Sequence, residues 1–261
     1  MLRAIDAEYA SAQKAAVRVL APGCGLGRLP FELALRGYDA QGNENSFHQL
    51  LGSNYVLNCA QAVGEHTVYP WIGGWSNHRR REDQLRGIAV PDVVPAIELA
   101  KVGASDRFSM AAGDFVDAYG EPESEGTFEC VATVFFVDTA WNFVDYVETI
   151  RNVLVDGGVW VNFGPLLWHW EGRDVPEGET KGVELTLEEC LVIVEKCGFV
   201  VERRETGGKG EYVGSGGRSM LDWVYQGELW VARKITAQDS KADGCKAQDI
   251  KTEDIKMEET L

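Results

Sequence analysis

Residues 17–28 read VRVLAPGCGLGR, a short β-branched run that breaks into a turn with glycines at 23, 25 and 27. Val17 to Ala21 has the composition of a buried strand. Leu29 to Arg36 then carries apolar residues at helical spacing, and Gly37 stands where a left-handed C-cap belongs. A strand, a glycine turn and a helix in this order let backbone approach a ligand closely, because glycine has no Cβ in the way. Alone the turn is a weak signal, since any tight β–α connection can look similar.

The same alternation continues outward. Tyr38 to Gly42 reads as a second strand ending in Asn43-Glu44. Phe128 to Val137 is apolar apart from Glu129 and Thr133 and suits a central parallel strand buried on both faces. Asn142 to Val155 is amphipathic and runs into Asp156-Gly157-Gly158, after which Val159 to Phe163 is again strand-like. Thr186 to Glu189 forms a capping box that opens a helix closed by Gly198. Phe199–Arg203 and Gly227–Arg233 follow as two strands with no helical pattern between them. This order predicts an α/β, doubly wound, Rossmann-like sheet with a terminal antiparallel strand pair. The expected organisation is a short segment at 1–16, one domain over 17–234 and a disordered polar tail over 235–261.

Composition removes several function classes. The 261 residues include 25 basic and 41 acidic side chains, a net charge of −16 that repels nucleic-acid backbones and anionic membranes. No apolar run approaches the ~18–20 residues of a membrane span. The N-terminus is too polar for a secretory signal. Six cysteines are scattered without a Cys-x-x-Cys pair, as in reduced cytosolic or nuclear proteins, and neither a disulfide framework nor a metal site is expected. Cys190 and Cys197 share a helical face as core residues. Residues 55–95 fit the alternation poorly and are too long for an idle connection, so a lid or binding region is expected there. His78-Arg79-Arg80-Arg81 within it is a local basic cluster, read as a salt-bridged turn ahead of an anion contact.

Glu44 strengthens the glycine turn. It lies seventeen residues after Gly27 at the end of the next strand, where a carboxylate can accept bonds from both hydroxyls of a ribose. Asp114 and Phe115, in Ala112-Gly113-Asp114-Phe115, can hold an adenine by its amino group and its face. A dinucleotide oxidoreductase starts in the same way. The closing strand pair and the Asp-Gly-Gly before Val159 favour the S-adenosylmethionine-dependent methyltransferase variant instead.

The chain resembles the carnosine N-methyltransferase family over nearly all of Val17 to Lys234. The resemblance rests on VLAPGCGLGRLPFELALRGYDAQGNENSF, YPWIGGWSNHRRREDQLRGIAVPDVVP, AGDF, CVATVFFVDTAWN, GGVWVNFGPLLWHW and SMLDWVYQGELWVARK, in that order. It implies methyl transfer from S-adenosylmethionine to an imidazole nitrogen of carnosine, giving anserine, or of a related histidine peptide. It also implies that family members dimerise. By this likeness Gly23, Gly25, Glu44, Asp114, Phe115, Cys130 and Tyr212 contact the cofactor, while Asp138, His169 and Tyr225 hold the dipeptide.

Those residue types suit the reaction. Imidazole has an ordinary pKa near ~6.5, so a site need not deprotonate it and must instead fix its tautomer and direction. A carboxylate accepting the far ring N–H does both and stabilises the positive charge that develops. Asp138, just beyond the apolar strand, is placed for that work; read without the family it is equally a helix N-cap. His169 without the family reads as a half-buried histidine between Trp168 and Trp170, and Tyr225 as a strand-edge aromatic. Cys130 lies inside the apolar strand, so only its backbone is expected to meet a cofactor.

Two departures from the family stand out. Where it carries a run of tyrosines this chain has Trp223-Val224-Tyr225, which replaces one phenol by an indole. Family members also carry a helical segment with cofactor-contacting Gln and Arg before the glycine turn, and Met1 to Ala16 offers no matching pair. The rival expectation is therefore a methyltransferase-fold binding protein with a weak or inactive cofactor site.

Overall fold

The computed structural model describes residues 1–10, 13–170, 182–212 and 216–236. Its strands are β1 (Arg18–Pro22), β2 (Asp39–Glu44), β3 (His66–Val68), β4 (Ile88–Val90), β5 (Phe108–Ala112), β6 (Phe128–Val134), β7 (Leu154–Gly164), β8 (Phe199–Tyr212) and β9 (Trp223–Lys234). The helices are α1 (Leu2–Glu8), α2 (Arg28–Leu35), α3 (Phe47–Asn54), α4 (Arg81–Gln84), α5 (Pro95–Lys101), α6 (Phe115–Tyr119), α7 (Phe143–Val153) and α8 (Leu187–Lys196). Seven strands form one sheet in the order β5-β2-β1-β6-β7-β9-β8, and β3 pairs with β4 in a separate antiparallel ribbon. All neighbours from β5 to β7 pair in parallel, while β9 runs antiparallel to both β7 and β8. This is the expected doubly wound sheet with its terminal antiparallel pair.

Alternation along the central strands divides the core. Val131 and Trp160 face α6, α7 and α8, where Phe115, Phe143, Ile150 and Cys190 pack. Cys130, Ala132 and Val161 face the other way, with Ile5 of α1, Phe31 of α2 and Leu99 of α5. Fully burying a side chain such as Ile150 or Phe31 contributes roughly 1.5–3 kcal/mol. Both faces of β6 are therefore covered, which is why its sequence is apolar without period.

Several boundaries differ from the sequence reading. The run from Phe128 ends as a strand at Val134, because Phe135 takes a φ of 51° and turns the chain out of the sheet. Strand β7 begins at Leu154, before Asp156-Gly157-Gly158, so that tripeptide is an irregularity inside the strand. It matches a register shift on β6 between Phe128 and Cys130. The final two strands are longer than expected and continue past the sheet as a ribbon, to Tyr212 opposite Trp223. The capping box at Thr186 is present, and Gly198 follows α8 with a φ of 89°. Of the polar tail expected over 235–261, residues 237–261 lie outside the described residues.

In the region 55–95, α3 continues into a wide π turn at Tyr55–Cys59, and the β3–β4 ribbon follows. The segment between those two strands crosses to the β9 end of the sheet. There Asn77 accepts the Met220 amide N–H at 2.8 Å and His78 bridges to Ser219. The basic cluster forms a largely exposed turn, with the Arg81 guanidinium 4.2 Å from the ring centre of the exposed Trp75.

Candidate active site

The carboxyl ends of β1, β2, β5, β6 and β7 meet on one edge of the sheet. The chain reverses its direction of travel between β1 and β6, the place where open α/β sheets leave a crevice for ligands. Gly23 and Gly25 take φ values of 61° and 60°, a region costly for residues with a Cβ. A Cβ at Gly23 would lie 2.3 Å from the Phe136 ring, so glycine is required there by the protein's own packing. Phe136 in turn stacks on Tyr146 with ring centres 4.7 Å apart.

Glu44 ends β2 and is 6% exposed. Its Oε1 accepts the Asn45 and Ser46 amides at 3.0 and 2.9 Å, and Oε2 accepts the Gly25 amide at 2.9 Å. A carboxylate offers about four acceptor positions. Three are taken, which leaves room on Oε2 for one ribose hydroxyl where two were expected. Asp114 caps α6 through Oδ1, which accepts Val116 N–H at 2.8 Å, and its Oδ2 is not part of the cap. Gly113 beside it is open, with nothing near a Cβ built there. A free acceptor at Glu44, an uncommitted carboxylate oxygen at Asp114 and open backbone at Gly113 together fit an adenosine.

Two of the expected cofactor residues have their side chains in the packed core. The Phe115 ring is 3% exposed and packs against Phe136 and Tyr146 at 5.4 and 5.5 Å, so its face is not available to an adenine. Cys130 is fully buried opposite Val19, four residues before Gly23, or about 13 Å of strand away from the turn. Burial pushes its thiol up, and it belongs to the core. The β6 residue that reaches the turn is Val134, which shares a cavity of 660 Å³ with Gly23, Cys24 and the N-terminal residues Met1 to Arg3. Burial and the Glu44 charge push the Cys24 thiol up to about 12, so it is not a thiolate either. Tyr212 ends β8, and its side chain lies outside the described residues.

Asp138 and His169 are brought together by two turns stitched to each other. Asp138 Oδ2 accepts the Leu167 amide at 2.9 Å, and the Asp138 carbonyl accepts the His169 amide at 3.1 Å. The Trp170 indole donates to the Thr139 carbonyl at 3.0 Å, and Trp141 meets Trp170 edge-on at 4.7 Å. Asp138 is 3% exposed, and its Oδ1 is buried with no hydrogen-bond partner among the described residues. Burial raises its pKa above the usual carboxylate range, opposed by the Leu167 amide and the nearby His169. The helix-cap reading of Asp138 does not hold, because α7 is capped by Asn142, which accepts the Val144 amide at 3.0 Å. Tyr225 joins through Phe135, whose ring lies 5.8 Å from both Tyr225 and Phe163.

Tyr225 and Leu167 also line a cavity of about 730 Å³ closed on another side by the segment around Trp71 and Arg86. The sequence reading expected a lid or binding region over 55–95 and named His78 to Arg81 in it, of which His78 lines the cavity. The signal was present in the aromatic and basic residues of YPWIGGWSNHRRREDQLR, but not in any spacing that says what they face.

The sequence model of carnosine N-methyltransferases matches residues 1–236. The chain belongs to the carnosine N-methyltransferase family. It is 44% identical over 228 residues to the carnosine N-methyltransferase of Schizosaccharomyces pombe, a match over 85% of this chain and 60% of that protein. It is 42% identical over 218 residues to the Rattus norvegicus member, over 84% of this chain and 52% of that protein. The chain thus spans about half to three-fifths of the length of these curated relatives. Among solved structures, an S-adenosylmethionine-dependent methyltransferase from Methanosarcina mazei superimposes with a TM-score of 0.53 at 14% identity. That match covers 89% of this chain and 97% of the other and shows a shared fold. The glycine turn, Glu44 and the Asp138 turn of this chain all lie on one sheet edge.

Proposed function

We propose that this protein transfers a methyl group from S-adenosylmethionine to an imidazole nitrogen of carnosine, giving anserine. The observation that carries the reading is the buried Oδ1 of Asp138, which has no hydrogen-bond partner among the described residues, on a carboxylate held by the amide of Leu167, itself part of the lining of the 730 Å³ cavity. An orphaned buried carboxylate oxygen costs folding free energy unless a ligand supplies its donor. The far N–H of an imidazole is such a donor. Membership of the family supports the substrate, and the sheet-edge residues Gly25, Glu44 and Asp114 support the cofactor.

In this reading Glu44 Oε2 takes one ribose hydroxyl, Asp114 Oδ2 takes the adenine amino group, and the cavity at Gly23 and Val134 takes the amino-acid end. When bound there, S-adenosylmethionine supplies an electrophilic methyl on a sulfonium, and the N–CH₃ bond forms as the S–CH₃ bond breaks. Asp138 holds the ring so that the attacking nitrogen keeps its lone pair and the other nitrogen keeps its proton. As the ring becomes cationic, the carboxylate stabilises it from a position where Oδ1 is buried. The proton on the far nitrogen then passes to the Asp138 carboxylate that accepts its hydrogen bond and from there to solvent, leaving neutral methylimidazole. His169 and Tyr225 border the same ring position and limit its rotation.

The test is incubation of the purified chain with methyl-labelled S-adenosylmethionine, with and without carnosine, followed by mass spectrometry. Labelled N-methylimidazole product is the expected result. Absence of product together with absence of cofactor binding by calorimetry would return the chain to the rival reading of a binding protein on a methyltransferase fold.

A further inference from the structure

An adenine base needs an apolar surface for its face as well as polar partners for its edge, and the core position of Phe115 leaves that face to another residue. Phe47 opens α3 three residues after Glu44, and its ring is 68% exposed. The rotational setting of α3 is fixed by its neighbours. Gln49 reaches the glycine turn, since a Cβ on Gly25 would lie 2.9 Å from its Oε1. Leu50 and Asn54, on a different face of the helix, line a cavity together with Met110 and Ala112 of β5. Phe47, Leu50 and Asn54 follow a spacing of three and then four residues, so they form one stripe along the helix. Phe47 is the end of that stripe nearest the carboxyl edge of the sheet, where Gly113 follows Ala112.

Gly113 is held there from two sides. Its amide donates to the Glu44 carbonyl at 3.0 Å, and its carbonyl accepts the Asn43 side-chain amide at 3.0 Å. Nothing lies within 4 Å of a Cβ built on it, and Oδ2 of the adjoining Asp114 is not part of the α6 cap. The Gly113 backbone is thus an open floor with an acceptor at its rim, and the neighbouring helix presents a free aromatic ring toward the same edge. From this arrangement we infer that Phe47 stacks on the adenine of S-adenosylmethionine and closes the base between its ring and the backbone at Gly113. The base then takes from water a ring that the fold itself leaves uncovered, and stacking supplies its share of the affinity. This inference rests on the cofactor reading above and deepens it by naming the side chain that holds the base.

The experiment is calorimetry with S-adenosylhomocysteine on the unmodified chain, Phe47→Ala, Phe47→Leu, Phe47→Trp and Leu51→Ala, each with its unfolding midpoint measured. Leu51, 53% exposed and one turn further along α3, is the control for the helix surface. Phe47→Ala is expected to weaken binding by roughly tenfold or more, about 1.4 kcal/mol. Phe47→Leu should stay at least about threefold weaker than the unmodified chain, because apolar bulk returns without a planar face. Phe47→Trp should restore the affinity to within about twofold, since an indole offers the same kind of surface. Leu51→Ala should bind as the unmodified chain does. Unchanged affinity in folded Phe47→Ala or Phe47→Leu overturns the inference while cofactor binding stands. A Phe47→Trp variant no tighter than Phe47→Ala, or an equal loss in Leu51→Ala, overturns it as well. An unmodified chain that does not bind S-adenosylhomocysteine overturns both this inference and the cofactor reading.

Discussion

Leu167 donates its backbone N–H to Oδ2 of Asp138 at 2.9 Å, and that single bond orients a carboxylate whose other oxygen is buried and unpaired. The bond joins the loops after β6 and β7, so the position of Asp138 depends on both strands. A carboxylate held in this way is poor for stability and good for binding a donor. Replacing it should separate the two properties.

Asp138→Ala is expected to lower kcat/KM for imidazole methylation by about 10²–10³, the loss typical for one preorganised group facing developing charge. Unfolding free energy should change by less than about 1 kcal/mol, because the lost Leu167 bond is offset by relief of a buried carboxylate. Calorimetry with S-adenosylhomocysteine should give an affinity close to that of the unmodified chain. Undiminished turnover would remove the role given to Asp138.

The raised pKa of Asp138 has a defined sign. A carboxyl whose folded pKa lies above its unfolded value favours folding while protonated, and that contribution is lost as pH rises through the folded value. Activity runs the opposite way, since the ring needs the ionised form. The acid limb of kcat/KM should therefore carry two ionisations, Asp138 and the substrate imidazole, with a slope above one. In Asp138→Asn the residual activity should fall with a slope of one. A pH–rate profile for the two proteins decides the point.

Gly23→Ala forces a left-handed φ of 61° on a residue with a Cβ and drives that Cβ into the Phe136 ring. Backbone strain and overpacking together should cost about 2–4 kcal/mol. Gly73→Ala, with open space around it and no positive φ, should stay within about 0.5 kcal/mol. Urea titration of both variants measures the difference, and equal midpoints would contradict the packing role of Gly23.

Glu44→Ala removes the acceptor for the amides of Gly25, Asn45 and Ser46 together with the proposed ribose contact. Stability should fall by at least about 2 kcal/mol, since charge-assisted bonds are lost. Affinity for S-adenosylhomocysteine should fall by about tenfold or more. Calorimetry on the folded variant showing unchanged affinity would count against Glu44 as a ribose ligand.

Local patterns carried much of this protein. The turn at Gly23, the strand end at Glu44, the capping box at Thr186 and the order of strands and helices all follow from residue spacing along the chain. Such features depend on backbone freedom, capping and side-chain period, which act over a few residues. The same reading does not place Cys130 and Phe115, because an apolar strand does not reveal how far each residue stands from the sheet edge. The register of β6 against β1 sets Cys130 opposite Val19 and leaves Val134 to meet the turn.

Tertiary structure alone decided what faces what. Phe135 leaves β6 early and packs between Phe163 and Tyr225, which no local preference for a strand predicts. The segment with Trp71 and Arg86 meets the β9 end more than a hundred residues later, and only that meeting makes a cavity. Asp138 is distinguished from a helix cap by the amide of Leu167, twenty-nine residues away. The sequence by itself determined the sheet, the glycine turn and the family, because these are written in short-range chemistry and ordered motifs. Which carboxylate oxygen stays unpaired among the described residues was decided by long-range packing, since an unpaired group is a property of its neighbours in space.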